Sequence, residues 1–100
     1  MEPGTFAVMY RWRIHPGMEQ DFIAAWTEVT KALVEGGSFG SRLHLADDGT
    51  YVGYAQWPDA ATRSEAFGRF APKGASERMT IATAESFPEV RLELLADLFV

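Results

Sequence analysis

Large aromatic side chains recur at spacings that would turn them toward one interior. They are Tyr10, Trp12, Trp26, Trp57, Phe67 and Phe70, and Tyr54 joins Tyr10 as a polar candidate. Aromatic residues in such a pattern commonly form a hydrophobic core. The alternative is that some of them line an apolar cleft, where a buried phenol seeks a hydrogen-bond partner and holds a substrate oxygen. We take Tyr10 as the catalytic candidate. The candidate substrate-binding residues are Trp12, Trp26, Tyr54, Trp57 and Phe67.

The two histidines are the other candidates, because imidazole is the side chain whose ordinary pKa lies nearest to neutral pH. His15 follows the first predicted strand, near the mouth of any such cleft, and is a second catalytic candidate. Its alternative is a solvated turn residue. His44 lies beside Arg42, which favours an ion pair or an interface over catalysis. Two distant histidines in a chain without cysteine do not supply the three or four ligands of a zinc site, so we expect no metal.

Composition excludes several classes of protein. The chain of 100 residues has room for one domain, residues 1–100, and its 47% hydrophobic content excludes a disordered chain. A net charge of −5 disfavours nucleic acids and anionic membranes as partners. No apolar run approaches the length of a membrane span, and the first residues lack the pattern of a signal peptide. We therefore expect a soluble, cytoplasmic domain.

Hydrophobic periodicity predicts the elements that must position these residues. Alternation over 6–14 predicts a strand. The four-, three- and four-residue spacing of Phe22, Trp26, Val29 and Leu33 predicts a helix over 18–35. Strands at 41–46 and 51–57 flank an Asp-Gly turn, which is typical of a hairpin. A second helix is predicted over 59–70, with Asp59 as its N-cap. Ser76 is predicted to cap a short third helix that carries Met79 and Ala82, and a closing strand covers 89–100.

This order of elements indicates an α+β fold of the ferredoxin-like split βαβ type, β-α-β-β-α-β, with a four-stranded antiparallel sheet. The apolar strand positions face the helices, including Val90, Leu92, Leu94, Ala96 and Leu98 of the closing strand. The other face then carries Arg11, Arg13, Arg42, His44, Arg91, Glu93 and Asp97, mixed with Ala7, Met9, Leu95 and Phe99. Such a face is either solvated or packed against a second sheet. The mixture of apolar residues and both signs of charge favours a homodimer.

RNA-recognition domains share this topology and stack bases on aromatic residues of the open sheet face. Here the aromatic residues of the first strand, Phe6, Tyr10 and Trp12, are predicted on the helix side. The negative net charge would also repel phosphate. RNA binding is therefore not expected.

Short motifs in a particular order resemble the antibiotic biosynthesis monooxygenase family. The resemblance covers roughly residues 6–70. It rests on Tyr10-Arg11-Trp12-Arg13, His15-Pro16-Gly17 and the amphipathic helix, Ser41-Arg42-Leu43-His44, Asp48-Gly49-Thr50, and Ala55-Gln56-Trp57-Pro58. It implies a homodimeric α/β barrel in which two sheets pack face to face. Some members of the family are cofactor-independent monooxygenases of polyketide anthrone-type phenols, whereas others are small proteins without known activity.

In those monooxygenases the substrate is its own reductant, and its carbanion reacts with dioxygen in an apolar cleft that excludes water. The resemblance thus implies a cofactor-free oxygenase acting on a small aromatic substrate. The alternative is a non-catalytic dimeric module that binds a small ligand or has a structural role. Haem-degrading relatives use an asparagine on strand one, a tryptophan in helix two and a later histidine. This chain has no asparagine, Ala66-Phe67 in helix two, and no histidine after His44. We expect no haem, flavin or metal.

Overall fold

The computed structural model describes residues 6–99 and has the predicted α+β architecture. Its elements are β1 (Phe6–Ile14), α1 (Glu19–Glu35), β2 (Gly40–Leu45), β3 (Tyr51–Trp57), α2 (Ala60–Arg69), α3 (Lys73–Ala82), β4 (Thr83–Ser86) and β5 (Val90–Glu93). The strands form one antiparallel sheet in the order β2-β3-β1-β4, and β5 pairs with the other end of β1. The ferredoxin-like prediction is confirmed, with five strands in place of four.

Alternation along β1 divides the sheet into two faces. The helix-covered face carries Phe6, Val8, Tyr10, Trp12 and Ile14, together with their neighbours Tyr51, Gly53, Ala55 and Trp57 on β3. The open face carries Ala7, Met9, Arg11 and Arg13, followed across the sheet by Val52, Tyr54, Gln56, Arg42 and His44. Directly paired residues of neighbouring strands point to the same side, so the register decides which side chains meet.

Two buried clusters fill the space between the sheet and the helices. Phe22, with no exposed surface, packs with Ile14 of β1 and Ala82 of α3. The second cluster joins α1 to β3 and to the two later helices through Val29, Leu33, Ala55, Trp57, Ala66 and Ala75. The amphipathic spacing of α1 therefore serves both clusters, as the sequence pattern predicts.

Local chemistry explains where α2 begins. Asp59 adopts an extended backbone and its Oδ1 accepts a hydrogen bond of 2.7 Å from the backbone N–H of Thr62, which otherwise lacks a partner within the helix. This bond lowers the pKa of Asp59. The predicted N-cap is confirmed, and it fixes the turn that carries Arg63.

The predicted third helix begins at Lys73 with Pro72 in the N-cap position, four residues before the predicted cap Ser76. Pro72 precedes the first helical residue with a φ of −71°, and Gly74 lies within the first turn. Proline is compatible with the start of a helix because the first N–H groups have no partner within the helix. Pro72 thus separates α2 from α3, whereas Gly74 belongs to α3.

The predicted closing strand over 89–100 is also wrong in extent and in facing. Two short strands, β4 and β5, pair with different parts of β1, and residues 94–99 belong to no strand. Pro88, which has no N–H to donate, lies between them. Arg91 pairs with Val8 and therefore belongs to the helix-covered side, whereas Leu92 pairs with Ala7 on the open side. Because side chains alternate along a strand, a register shifted by one residue reverses every assignment.

Candidate active site

A cavity of about 350 Å³ lies between the helix-covered face of the sheet and the three helices. Five of the predicted site residues line it: Tyr10, Trp12, Trp26, Trp57 and Phe67. Hydroxyl side chains complete the wall, namely Thr30, Ser38, Ser41, Ser76, Thr80, Thr83 and Ser86. Small-molecule sites have this composition, with mostly apolar walls and a few polar groups that fix the orientation of the ligand.

Two stacked rings form part of the wall on β1. The rings of Tyr10 and Trp12 lie 5.6 Å apart and only 7° from parallel, because residues two apart on a strand point to the same side. Gly53, which pairs with Tyr10 on β3, leaves room for the Trp12 indole: a Cβ atom at this position would lie 3.1 Å from two of its ring carbons. This glycine therefore allows Trp12 to lie across the sheet.

The hydroxyl group of Tyr10 is held by a side chain that the sequence analysis missed. Arg63 of α2 donates two hydrogen bonds to the phenol oxygen, from Nη2 at 2.8 Å and from Nε at 3.2 Å. The same Nη2 forms an ion pair of 2.8 Å with Oε2 of Glu89, in the connection between β4 and β5. The guanidinium also lies 5.1 Å from the centre of the Phe67 ring. The side chain of Arg63 is only 13% exposed.

Burial raises the pKa of Tyr10 above its ordinary value near 10, and the hydrogen bond and positive charge of Arg63 oppose that rise only in part. The phenol is therefore protonated at neutral pH. A protonated phenol donates a hydrogen bond and does not remove a proton from a substrate. The local chemistry of Tyr10 is that of a donor to an oxygen atom.

Trp57 contributes a second polar group to this region. Its side chain is 1% exposed and packs against Phe67, with 6.1 Å between the ring centres. The indole N–H meets no acceptor within residues 6–99. Leaving a buried donor unpaired costs about 1–3 kcal/mol, so such groups are uncommon and call for an explanation.

Tyr54 and His15 do not join the other predicted residues. Tyr54 pairs with Met9 and Arg42 on the open face, where its hydroxyl accepts a hydrogen bond of 3.2 Å from Gln56 Nε2. His15 is exposed directly after β1, its backbone N–H donates to the carbonyl oxygen of Ala82, and its side chain is not among those that line the cavity. The exposed His44 lies on the open face.

A signal for Arg63 was present in the sequence, because residues four apart on a helix are neighbours and Phe67 was already a candidate. Glu89 offered no such signal, since its position depends on the break between β4 and β5.

Residues 6–99 contain no group of three histidine, aspartate or glutamate side chains arranged to bind a metal ion. None of the described helices combines the length and the apolar character needed to cross a bilayer.

The fold and cavity together define a ferredoxin-like α+β domain with an aromatic-lined pocket on one face of its sheet. The sequence identifies the family more closely: the family model for antibiotic biosynthesis monooxygenases matches residues 5–73, and the chain belongs to that family. A search of curated proteins finds no match to the chain.

Solved structures with a similar fold share little sequence with this chain. SnoaB, a cofactor-independent oxygenase from Streptomyces nogalater, is 17% identical with a TM-score of 0.76, covering 93% of this chain and 95% of its own. Rv0793 from Mycobacterium tuberculosis is 17% identical with a TM-score of 0.75, covering 98% and 100%. A protein from Chloroflexus aurantiacus is 11% identical with a TM-score of 0.78, covering 92% and 94%. At these identities the similarity establishes the fold.

Proposed function

We propose that this protein is a cofactor-independent oxygenase of a small, flat, hydroxylated aromatic compound. The observation that carries the proposal is the aromatic-lined cavity of about 350 Å³ with a half-buried, protonated phenol in its wall. Family membership supports the reaction class, and SnoaB, described as a cofactor-independent oxygenase, has the same fold.

The walls of the cavity favour a planar ligand. Aromatic rings attract one another in offset-stacked and edge-to-face arrangements, which contribute about 0.5–1.5 kcal/mol beyond the burial of their area. Trp12 and Trp26 present such rings on β1 and α1. Hydroxyl groups on the helices and on β4 offer hydrogen bonds to the polar edge of the ligand without placing a net charge against its faces.

In the proposed reaction a substrate methylene group becomes a carbonyl group. The substrate first loses a proton and becomes a resonance-stabilised carbanion. This carbanion transfers electrons to dioxygen, forms a bond to one oxygen atom and takes up a proton, which gives a hydroperoxide. Loss of the second methylene hydrogen as a proton then breaks the O–O bond, so that the carbon becomes a carbonyl group and the other oxygen atom leaves as water. Tyr10 would donate a hydrogen bond to the substrate oxygen on which negative charge accumulates, a contribution that grows as the charge develops.

A second candidate function, binding without chemistry, is favoured by the lack of an evident base. Of the described residues that line the cavity, only Tyr10 and Glu85 carry side chains with an acidic proton or a carboxylate. Tyr10 is protonated, and the Glu85 side chain is 57% exposed and lies 3.7 Å from Arg13 of the open face. The oxygenase therefore requires a substrate acidic enough to lose its proton to solvent, whereas a binding module has no such requirement.

We also propose that the protein is a homodimer formed through the open face. Phe99 is more than four-fifths exposed beside this face, with the Arg42 guanidinium 5.7 Å from the centre of its ring. Leu95 and Leu98, in the same segment after β5, are equally exposed. A twofold interface brings the same patch of both subunits together, and this patch carries apolar groups and both signs of charge. A second copy of the chain would bury these groups.

Oxygen uptake distinguishes the two candidate functions. Purified protein is treated with a chelator and incubated with a panel of anthrones and polycyclic phenols, and dioxygen consumption is followed with an electrode. The oxygenase predicts uptake of one dioxygen per substrate oxidised, with Tyr54→Phe as active as wild type. Binding of the same compounds without uptake above the buffer rate would contradict the oxygenase and support the binding module.

A further inference from the structure

The contact between Arg63, Glu89 and Tyr10 spans three separate elements of the fold and is not required by either candidate function. We propose that Arg63, held in place by Glu89, is a positioning residue that directs the Tyr10 O–H toward the bound ligand and makes it a stronger donor to an oxygen carrying negative charge. This inference rests on the proposed function, since it assumes that the cavity takes an oxygen-bearing aromatic ligand.

The hydrogen bonds around Tyr10 indicate the direction in which its O–H points. A phenol oxygen accepts at its lone pairs and donates one O–H. Arg63 approaches it with two donors, at 2.8 and 3.2 Å, and fills the accepting side. Among residues 6–99, the O–H of Tyr10 itself has no protein acceptor. The remaining hydrogen-bonding capacity of Tyr10 is therefore that of a donor, in a residue whose ring lines the cavity.

The position of Arg63 is itself fixed from two sides. Glu89 accepts a hydrogen bond from the same Nη2 that contacts the phenol, at 2.8 Å. The Phe67 ring lies beneath the guanidinium, one helical turn along α2, and the centre of the Tyr10 ring is 5.7 Å away. A guanidinium with these partners has few alternative orientations, because its Nε and Nη2 groups are already bonded and two aromatic rings lie close to it.

The charges around Tyr10 determine how strong a hydrogen-bond donor its O–H is. The charged groups that face the Tyr10 hydroxyl are Arg63 from α2, Glu89 from the connection between β4 and β5, and Arg91 from β5. Positive charge behind the phenol oxygen polarises its O–H and favours an anionic acceptor on the ligand, whereas the carboxylate of Glu89 limits this effect. Arg63 thus acts on the ligand through Tyr10 and has no direct contact with it.

The two partners should therefore change the pKa of Tyr10 in opposite directions. Arg63→Gln removes the positive charge and should raise it further. Glu89→Gln removes a negative charge and should lower it. The matched control is Arg69→Gln, which breaks an exposed ion pair with Glu65 on the same helix and should leave it unchanged. Phenolate absorbance followed during alkaline titration, with the curve of Tyr10→Phe subtracted, reports this pKa without any activity.

Ligand selectivity is the second readout, with 2-naphthol and naphthalene as probes. Arg63→Gln should weaken 2-naphthol binding about twofold to fivefold, no more than Tyr10→Phe does, because the charge-assisted hydrogen bond that orients and polarises the Tyr10 O–H is lost, and should leave naphthalene binding unchanged. The proposal would be overturned if the Tyr10 pKa moves in the same direction in both variants, or does not move while circular dichroism shows an intact fold. Equal losses of affinity for both probes would also overturn it. If opposite shifts are found but neither probe binds wild type, the proposed function fails while the coupling of Arg63 and Glu89 to Tyr10 stands.

Discussion

The two faces of the sheet carry tyrosines in different chemical situations. Tyr10, on the helix-covered face, is half-buried, stacks on Trp12 and is held by Arg63. Tyr54 follows Gly53, the residue that pairs with Tyr10, and therefore points to the open face. There it contacts Gln56 among charged side chains. Both are phenols on adjacent strands, yet only Tyr10 lines the cavity under the helices, whereas Tyr54 lines a depression of the open face beside Arg42 and Phe99. The comparison shows that the face of the strand, more than the type of residue, decides whether a phenol is available to a buried ligand.

The largest expected difference between the faces is in stability. Phe22→Ala removes a fully buried ring that contacts Trp12 and Tyr51 edge to face, and should lower the free energy of unfolding by about 3–5 kcal/mol. His44→Ala, at an exposed open-face position, should change it by less than about 0.5 kcal/mol. Urea unfolding at one protein concentration measures both. Similar losses in the two variants would contradict the assignment of the core to one face.

A charge reversal tests the open face. Arg11 lies 3.4 Å from Asp48 and its guanidinium is 4.4 Å from the centre of the Phe87 ring. If this face joins two copies, Arg11→Glu should weaken dimerisation about tenfold or more, because misplaced charges in an interface are repulsive. Light scattering across a concentration series measures this effect. A wild-type protein that stays near 11.1 kDa at micromolar concentration would contradict the dimer.

Removal of single hydroxyl groups compares the two phenols directly. Tyr10→Phe should weaken binding of a hydroxylated aromatic ligand about fivefold, because one hydrogen bond is lost, and should leave the fold intact. Tyr54→Phe is the matched control and should bind as wild type does. Ligand titrations followed by tryptophan fluorescence give both affinities. Equal affinities for wild type and Tyr10→Phe would remove Tyr10 from the site.

A smaller effect is expected at alkaline pH. The folded-state pKa of Tyr10 is raised above its unfolded value near 10. The folded protein therefore binds the phenolic proton more tightly than the unfolded chain, and the stability that follows is present below pH 10 and lost as the pH rises above it. Wild type should lose stability more steeply than Tyr10→Phe between pH 10 and 11, as measured by denaturant unfolding. Parallel curves would contradict the burial of this phenol.

The sequence predicted the helix-covered face better than the end of the chain. Strict alternation over β1 placed Tyr10 and Trp12 correctly, because one buried face specifies strand register strongly. The last strand also alternates, but its facing depends on the break at Pro88 and on pairing with β1, which are properties of the assembled sheet. Tyr54 was misjudged as a companion of Tyr10 because residue type was weighed above strand parity.

Indole N–H signals offer the most direct test of the central claim, that the helix-covered cavity is the ligand site. The chain has three tryptophans, Trp12, Trp26 and Trp57, and all of them line this cavity. In a proton–nitrogen correlation spectrum of labelled protein titrated with a hydroxylated polycyclic aromatic compound, the account predicts that the three indole signals shift together with one affinity. It also predicts that the unpaired N–H of Trp57 moves toward the frequency of a hydrogen-bonded donor. Saturable binding that shifts the backbone amides of Met9 and Tyr54 on the open face, with the indole signals unmoved, would contradict it.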